Sequence, residues 1–286
     1  MTKTLLSFGH GYSARALSRI LLPQDWRIIG TTRDESKAVQ LMNDGIEPRI
    51  WPGADMIPAL NSATHLLISA PPDDAGDPVL AALYDEIIAR AGQFEWVGYL
   101  STTGVYGDHN GDWVDETTPL TPATQRGIAR VEAEAAWTAI PNIQLHIFRL
   151  AGIYGPGRGP FAKVRAGTAR QIIKDNQVFS RTHVADIARV LAASIKNPNP
   201  GAAYNVCDNN PAPPQDVIGY AADLLGLKLP PAEDFATAKM TPMARSFYAE
   251  SKKVRNGRIK NELGIELLYP DYKSGLKALL AHEISI

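Results

Sequence analysis

The segment Gly9-His10-Gly11-Tyr12-Ser13-Ala14 sets the tightest limit on what this chain can fold into. It follows a short apolar run at residues 4–8 and leads into a stretch where Ala14, Leu17 and Leu21 share one helical face. A strand turning through G-x-G-x-x-A into a helix is the fingerprint of a dinucleotide site. Gly9 permits the tight turn, Gly11 lets the backbone approach a pyrophosphate, and Ala14 keeps the helix against the strand. The pyrophosphate then meets N–H groups that the first helical turn leaves unpaired. His10, Tyr12 and Ser13 complete the loop and are read with it as cofactor contacts. A plain strand–helix turn built from small residues is the bland alternative, and the rest of the chain must decide.

Short apolar runs alternate with amphipathic stretches through the N-terminal half, the pattern of βα units around a parallel sheet. Strands are predicted at 4–8, 27–30, 65–69, 96–101, 143–149 and 203–207, with a weaker one at 47–51 because Pro48 interrupts it. Leu83, Ile87 and Ala91 mark one face of a helix. Residues 121–139 read as another, with Thr121 as its cap and Pro122 in its first turn. Further helices are predicted at 182–195 and 215–225. Glycines and prolines crowd into 152–160, which reads as a loop leaving the sheet. The expected fold is α/β, a Rossmann-type doubly wound parallel sheet with a smaller C-terminal substrate lobe. Residues 1–151 form the dinucleotide-binding core, 152–180 and 209–265 the lobe, and 181–208 and 266–286 return to the core.

Composition narrows the partners. A formal net charge of −1 over 286 residues argues against nucleic acid or a membrane surface, both of which need an excess of Lys and Arg. The single cysteine, Cys207, cannot form an internal disulfide, which fits a cytoplasmic setting. The apolar run 5–8 is too short for a signal peptide or a membrane span. Six scattered histidines show no zinc spacing, so no metal is expected. A small molecule, possible in anionic form, is the expected partner, and a homodimer is a possible assembly.

The end of the second strand discriminates between dinucleotides. NAD sites usually carry an acid about 20 residues beyond the glycines, on the ribose 2′-OH. Here Arg33 falls 24 residues beyond Gly9, in Thr31-Thr32-Arg33-Asp34. A guanidinium can pair with a 2′-phosphate and stack on adenine, and the Thr32 hydroxyl can add a donor. This favours NADP over NAD, although Asp34, one residue on, keeps the NAD reading open. Ser69-Ala70-Pro71 and Ser101-Thr102 end two further strands, where ligands sit in open parallel sheets.

Several segments together resemble the extended short-chain dehydrogenase/reductase family, also called the NAD-dependent epimerase/dehydratase family, in its atypical, YeeZ-like branch. They are the glycine loop, Ser101-Thr102-Thr103-Gly104-Val105-Tyr106-Gly107, Arg149-Leu150-Ala151-Gly152-Ile153-Tyr154-Gly155-Pro156-Gly157, Thr182-His183-Val184-Ala185-Asp186 and Tyr204-Asn205-Val206. The resemblance implies that Thr102 hydrogen-bonds a substrate oxygen. It also implies a Tyr-x-x-x-Lys pair, but Arg126 stands in place of that Tyr and Arg130 in place of that Lys. A guanidinium stays protonated near neutral pH and cannot trade protons as a tuned phenol can. Tyr106 and Tyr154 are other phenols, expected to pack rather than react. The arginine that holds a substrate phosphate in sugar-nucleotide epimerases falls at Phe179, with Arg181 two residues on, which makes a nucleotide sugar less expected. Arg158, Lys163, Arg165 and Arg170 either face an anionic ligand or form a solvated basic surface.

Two readings follow. One is an NADP-dependent oxidoreductase or epimerase acting on a small carbonyl or sugar-like compound, with Thr102, Arg126 and Arg130 at its site. The other is an NADP-binding regulatory or sensor protein without redox turnover. Methyl transfer from S-adenosylmethionine comes third, because it usually wants an acid where Arg33 stands.

Overall fold

Leu5, Leu6 and Phe8 are wholly buried, as expected of a strand covered on both faces. They belong to β1 (Thr4–Phe8) in a computed structural model that describes residues 2–284. Residues 1, 285 and 286, which the sequence reading assigns to the core, lie outside the described residues.

The chain continues through α1 (Tyr12–Leu21), β2 (Arg27–Thr32), α2 (Glu35–Asn43), β3 (Glu47–Ile50), α3 (Ile57–Ser62), β4 (His65–Ile68), α4 (Pro78–Ile88) and β5 (Trp96–Thr102). Then come β6 (Trp113–Val114), α5 (Gln125–Thr138), β7 (Leu145–Leu150), β8 (Gly152–Tyr154), α6 (Phe161–Arg165), β9 (Gln171–Ile173) and β10 (Arg181–His183). The C-terminal part comprises α7 (Val184–Lys196), β11 (Ala203–Val206), α8 (Pro214–Leu225), β12 (Ala232–Asp234), α9 (Pro242–Ser246), β13 (Lys253–Val254), α10 (Gly257–Leu263) and α11 (Tyr272–Ile284).

Seven strands form a parallel sheet in the order β11-β7-β5-β4-β1-β2-β3. The fold is therefore the α/β, doubly wound parallel sheet that the βα alternation predicts. Its order reverses between β1 and β4, and such a switch point opens a crevice at the strands' carboxyl ends. One face is covered by α1 and α7, whose Leu17, Leu21, Ile187 and Leu191 share a buried cluster. The other buries Leu6, Phe8, Ile68, Ile87 and Trp137. A third cluster joins Phe161 and Val164 of α6, Val217 and Ala221 of α8, and Tyr272 and Leu276 of α11. Tyr154, Val217, Tyr272 and Leu276 of that cluster line one end of the cavity described below.

Three local expectations need correction. The helix read as 121–139 begins at Gln125, with Thr124 accepting from the Gly127 N–H. Thr121 instead donates to the Tyr106 carbonyl, because Gly107, at φ +75°, brings that turn against the 121 backbone. The helix read as 182–195 begins at Val184, since 181–183 form β10 alongside β8. The α4 face breaks at Leu83, whose φ of −136° is non-helical, and Ala91 lies beyond the helix end.

Four buried histidines give the fold an acid limit. Burial lowers His10, His65, His146 and His183 from 6.5 to about 4. A group whose folded pKa is depressed stabilises the fold above its unfolded pKa and loses that contribution as pH falls through the folded value. Stability should therefore fall as pH drops from 6.5 toward 4. Urea unfolding should show a lower midpoint at pH 5 than at pH 7; equal midpoints would exclude this role for the histidines.

Candidate functional site

Gly9 has φ +72°, and a Cβ there would lie 2.8 Å from the Ala70 backbone nitrogen. The ends of β1 and β4 thus meet at the switch point only because residue 9 is glycine. Their contact is fixed by the Ser69 and Ala70 N–H groups, both donating to the Phe8 carbonyl. From β2, Thr31 Oγ1 accepts from the Gly9 N–H at 2.8 Å, and its carbonyl accepts from the His10 N–H at 2.9 Å. Gly11 differs: a Cβ would meet only the Gly9 carbonyl oxygen, at 3.6 Å, leaving open space above the loop.

Gly11 caps α1 without any side-chain hydrogen bond to the first turn. The first-turn donors of Tyr12, Ser13 and Ala14 therefore remain available to an anion, as a pyrophosphate requires. Ala14 is wholly buried and packs α1 on the sheet. His10 departs from a cofactor contact, because its side chain turns inward. Its Nε2 lies 3.2 Å from Ser18 Oγ, and its ring fills the space above Gly30, so only its backbone faces the loop. Tyr12 reaches across instead, donating to the Pro156 carbonyl at 2.9 Å beneath the Arg158 guanidinium.

At the end of β2 the two candidate readers of the adenosine ribose have different fates. Asp34 caps α2, its Oδ1 accepting from the Ser36 and Lys37 N–H groups and the Ser36 hydroxyl. Those bonds hold its carboxyl below the usual range, the Ser36 hydroxyl foremost. Arg33 is exposed and forms no hydrogen bond or ion pair with any described residue. Thr32 Oγ1 accepts from the Asp34 N–H, at 3.2 Å.

A cavity of about 890 Å³ runs from Ser13 and the ends of β4 and β5 to the cluster formed by α6, α8 and α11. Ser13, Ser69, Pro71, Ser101, Thr102, Arg126 and Arg130 all line it, so the α1, β4, β5 and α5 positions converge there. Thr102 Oγ1 accepts from the Gly104 N–H at 3.1 Å, which leaves its own proton free to donate. Ser101 is committed elsewhere: its hydroxyl donates to Glu134 at 2.5 Å, in a buried network with Arg149. Arg130 donates to the Leu100 carbonyl at 2.5 Å. Arg126 lies over the Phe247 ring at 4.5 Å and reaches Ser246 Oγ at 3.3 Å, bridging α5 to the chain around α9.

Neither alternative phenol offers itself for proton transfer. Tyr106 is wholly buried, donating to Asn205 and accepting from Arg149, and burial raises its pKa. Tyr154 is buried against Gly275, where a Cβ would overlap its hydroxyl, and burial raises its pKa too. His183 caps α7 by accepting from the Ala185 N–H, and Asp186 accepts from the Leu268 and Tyr269 N–H groups. Of the basic lobe residues, Arg158 lines the cavity, whereas Arg165 pairs with Glu283 and Arg170 with Glu233.

The cavity also contains residues that sequence reading passed over. Lys252 is buried, donating to the Gly107 carbonyl at 2.5 Å and to Glu250 at 2.6 Å. Tyr272, at the start of α11, lines the far end of the cavity. These side chains arrive by long-range chain return, and no local spacing marks them. The described lining carries five cations, Arg126, Arg130, Arg158, Arg181 and Lys252, against the one carboxylate of Glu250. Lys252 is paired with Glu250, so in a chain of net charge −1 the four arginines give this lining a local excess of positive charge. Among the described residues no group of three or more His, Cys, Asp or Glu is arranged to hold a metal, and no helix is long and apolar enough to cross a membrane.

No protein-family profile matches the chain. Protein YeeZ of Escherichia coli (strain K12) is 29% identical over 282 residues, covering 94% of this chain and 97% of YeeZ. A solved structure from Silicibacter pomeroyi DSS, of a functionally unknown conserved protein, is 65% identical. It covers 98% of this chain and 99% of its own, with a TM-score of 0.96. The UDP-glucuronic acid 4-epimerase of Bacillus cereus, solved in complex with NAD, is 15% identical. It superposes with a TM-score of 0.77 over 99% of each chain, a likeness that shows the fold alone.

Proposed function

We propose that this homologue of YeeZ belongs with the extended short-chain dehydrogenase/reductases, the NAD-dependent epimerase/dehydratases, binds NADP and acts on a small anionic carbonyl or sugar-like compound. The observation that carries this reading is the cavity whose lining runs from Ser13 and Ser69, next to the glycine loop, past Thr102 to the cationic residues at its far end. The cofactor fit rests on three features: Gly9 without a Cβ, the open face of Gly11, and the uncapped first turn of α1. The preference for NADP is supported by Arg33, which is unpaired while Asp34 is consumed in capping.

When bound, a nicotinamide dinucleotide supplies hydride donation or acceptance. The chain's own part is to orient and to stabilise charge. Thr102 offers its hydroxyl proton to a substrate oxygen, and Arg126 provides fixed positive charge at the cavity mouth. Arg130, anchored on Leu100, keeps its other nitrogens for a ribose or phosphate oxygen.

A second reading has an observation of its own. Arg126 stands where the family resemblance expects the proton-trading phenol, and it is engaged with Phe247 and Ser246. That arrangement suits a protein in which NADP occupancy secures a contact between α5 and the α9 region without redox turnover.

Titration with NADPH and NADH tests the cofactor reading. NADPH should bind more tightly, and Arg33→Ala should weaken NADPH by roughly 10- to 100-fold, the worth of a charge-assisted contact, while leaving NADH within about twofold. Tighter NADH binding, or no effect of Arg33→Ala, would reject NADP. Hydride exchange with any member of a carbonyl and sugar panel supports the enzyme reading; binding without exchange supports the second.

A further inference from the structure

The far end of the cavity holds an arginine that makes no ion pair with any described carboxylate, although the charges of Asp208 and Asp216 reach it. Arg181 opens β10, and one of its terminal nitrogens donates to the carbonyls of Phe179 at 2.8 Å and Ala212 at 2.9 Å. Its guanidinium lies 6.0 Å from the centre of the Phe179 ring. Those contacts fix the orientation of the guanidinium yet use only one of its nitrogens. Its Nε and remaining terminal nitrogen have no hydrogen-bond partner, and it forms no ion pair with any described residue.

Burial pushes Arg181 below its ordinary pKa, and Asp208 is the largest influence in the opposite direction. That compensation is incomplete. Asp208 makes no ion pair with Arg181; its Oδ1 accepts from the Asn210 N–H, and burial raises its pKa to about 7. Tyr272 lines the same cavity with a buried ring, and its hydroxyl has no hydrogen-bond partner among the described residues; burial raises its pKa, the carboxylates of Asp216 and Asp271 add to that rise, and Arg181 opposes it. Both residues line the cavity, and Val217 and Leu276 form apolar wall beside them. An immobilised guanidinium edge and a free phenol on an apolar wall are the parts of an oxyanion site.

We propose that Arg181 and Tyr272 form a subsite for the oxyanion of the substrate, a carboxylate or a phosphate group, and that the protein selects small compounds carrying one. This deepens the function proposed above, resting on its reading of the cavity as a substrate site but not on which dinucleotide occupies the other end. Phe179 adds apolar wall next to the Arg181 guanidinium.

Calorimetry on the purified full chain tests the assignment, with sodium phosphate and sodium propionate as probes, each with and without saturating NADPH. At least one probe should bind the wild type. Tyr272→Phe, which keeps the ring packing, should weaken that probe about tenfold, and Arg181→Gln about 100-fold. NADPH affinity should stay within about twofold in both variants. Binding of phosphate alone assigns a phosphate ester, binding of propionate alone a carboxylate. The proposal is overturned if neither probe binds, if both variants bind it as the wild type does, or if NADPH affinity falls in parallel. Should Arg181→Gln fail to fold, Tyr272→Phe alone decides. Failure of NADPH to bind the wild type would sink the cofactor reading only, because the anion arm also runs without dinucleotide.

Discussion

Glu134→Leu is expected to destabilise the protein by about 3–5 kcal/mol, the usual loss when one member of a buried ion pair is removed. Glu134 on α5 and Arg149 on β7 are both nearly inaccessible, with Arg149 donating to Glu134 Oε2 at 2.8 Å. The same carboxylate accepts from Ser101 at 2.5 Å, and Arg149 also donates to the Tyr106 hydroxyl at 3.0 Å. Tyr106 passes the chain of bonds to Asn205 on β11. Removing the carboxylate leaves a buried guanidinium and a buried hydroxyl without their partner, and both must be desolvated in the folded state. Replacing both ions, Glu134→Leu with Arg149→Met, should recover much of the loss, since two apolar groups leave no orphaned charge. Denaturant unfolding of the two single variants and the double variant measures this. A single-variant loss below about 1 kcal/mol, or a double variant no better than the singles, would mean that the pair does not hold α5 to the sheet.

That network also explains which parts of the molecule were legible beforehand. The sheet was, because β1, β4, β5 and β7 are short apolar runs covered on both faces and show it in composition. The glycine loop was, because turn, helix start and close approach each demand a small residue at a fixed offset. Helix starts were less so: Thr121 and Thr124 are equally plausible caps locally, and only the packing of Gly107 against the 121 backbone chooses Thr124. The pairing of β8 with β10 hides in a glycine-rich stretch that reads as loop.

The candidate site divides along the same line. Thr102 and Ser69 were visible as strand ends. Tyr272, Lys252 and Glu250 were not, because each reaches the cavity from a segment more than 140 residues beyond Thr102, with no periodic signal linking them. Ser101 was read as a cofactor contact next to Thr102; it borders the cavity, but its hydroxyl is taken by the buried Glu134.

Gly9 and Gly11 should respond to the same substitution in opposite ways, and the contrast separates architecture from ligand contact. Gly9→Ala puts a Cβ 2.8 Å from the Ala70 nitrogen and 2.9 Å from its Cα, on a residue at φ +72°. Backbone cannot yield there as a side-chain tip can, since Ala70 is tied to Phe8 and Gly9 to Thr31. The left-handed conformation alone costs about 1–2 kcal/mol, and the clash adds to it, so both folding stability and NADPH binding should fall. Gly11→Ala meets nothing closer than 3.6 Å and has an ordinary negative φ of −101°. Its unfolding midpoint should match the wild type within error. Yet the new methyl occupies the face where a pyrophosphate must approach, so NADPH affinity should drop at least about 100-fold through lost contact with the helix N-terminus. Urea titration and NADPH titration on the two variants give four numbers. A stable Gly11→Ala that binds NADPH as the wild type does would remove the pyrophosphate from this loop, and Gly9 would then be explained by strand packing alone.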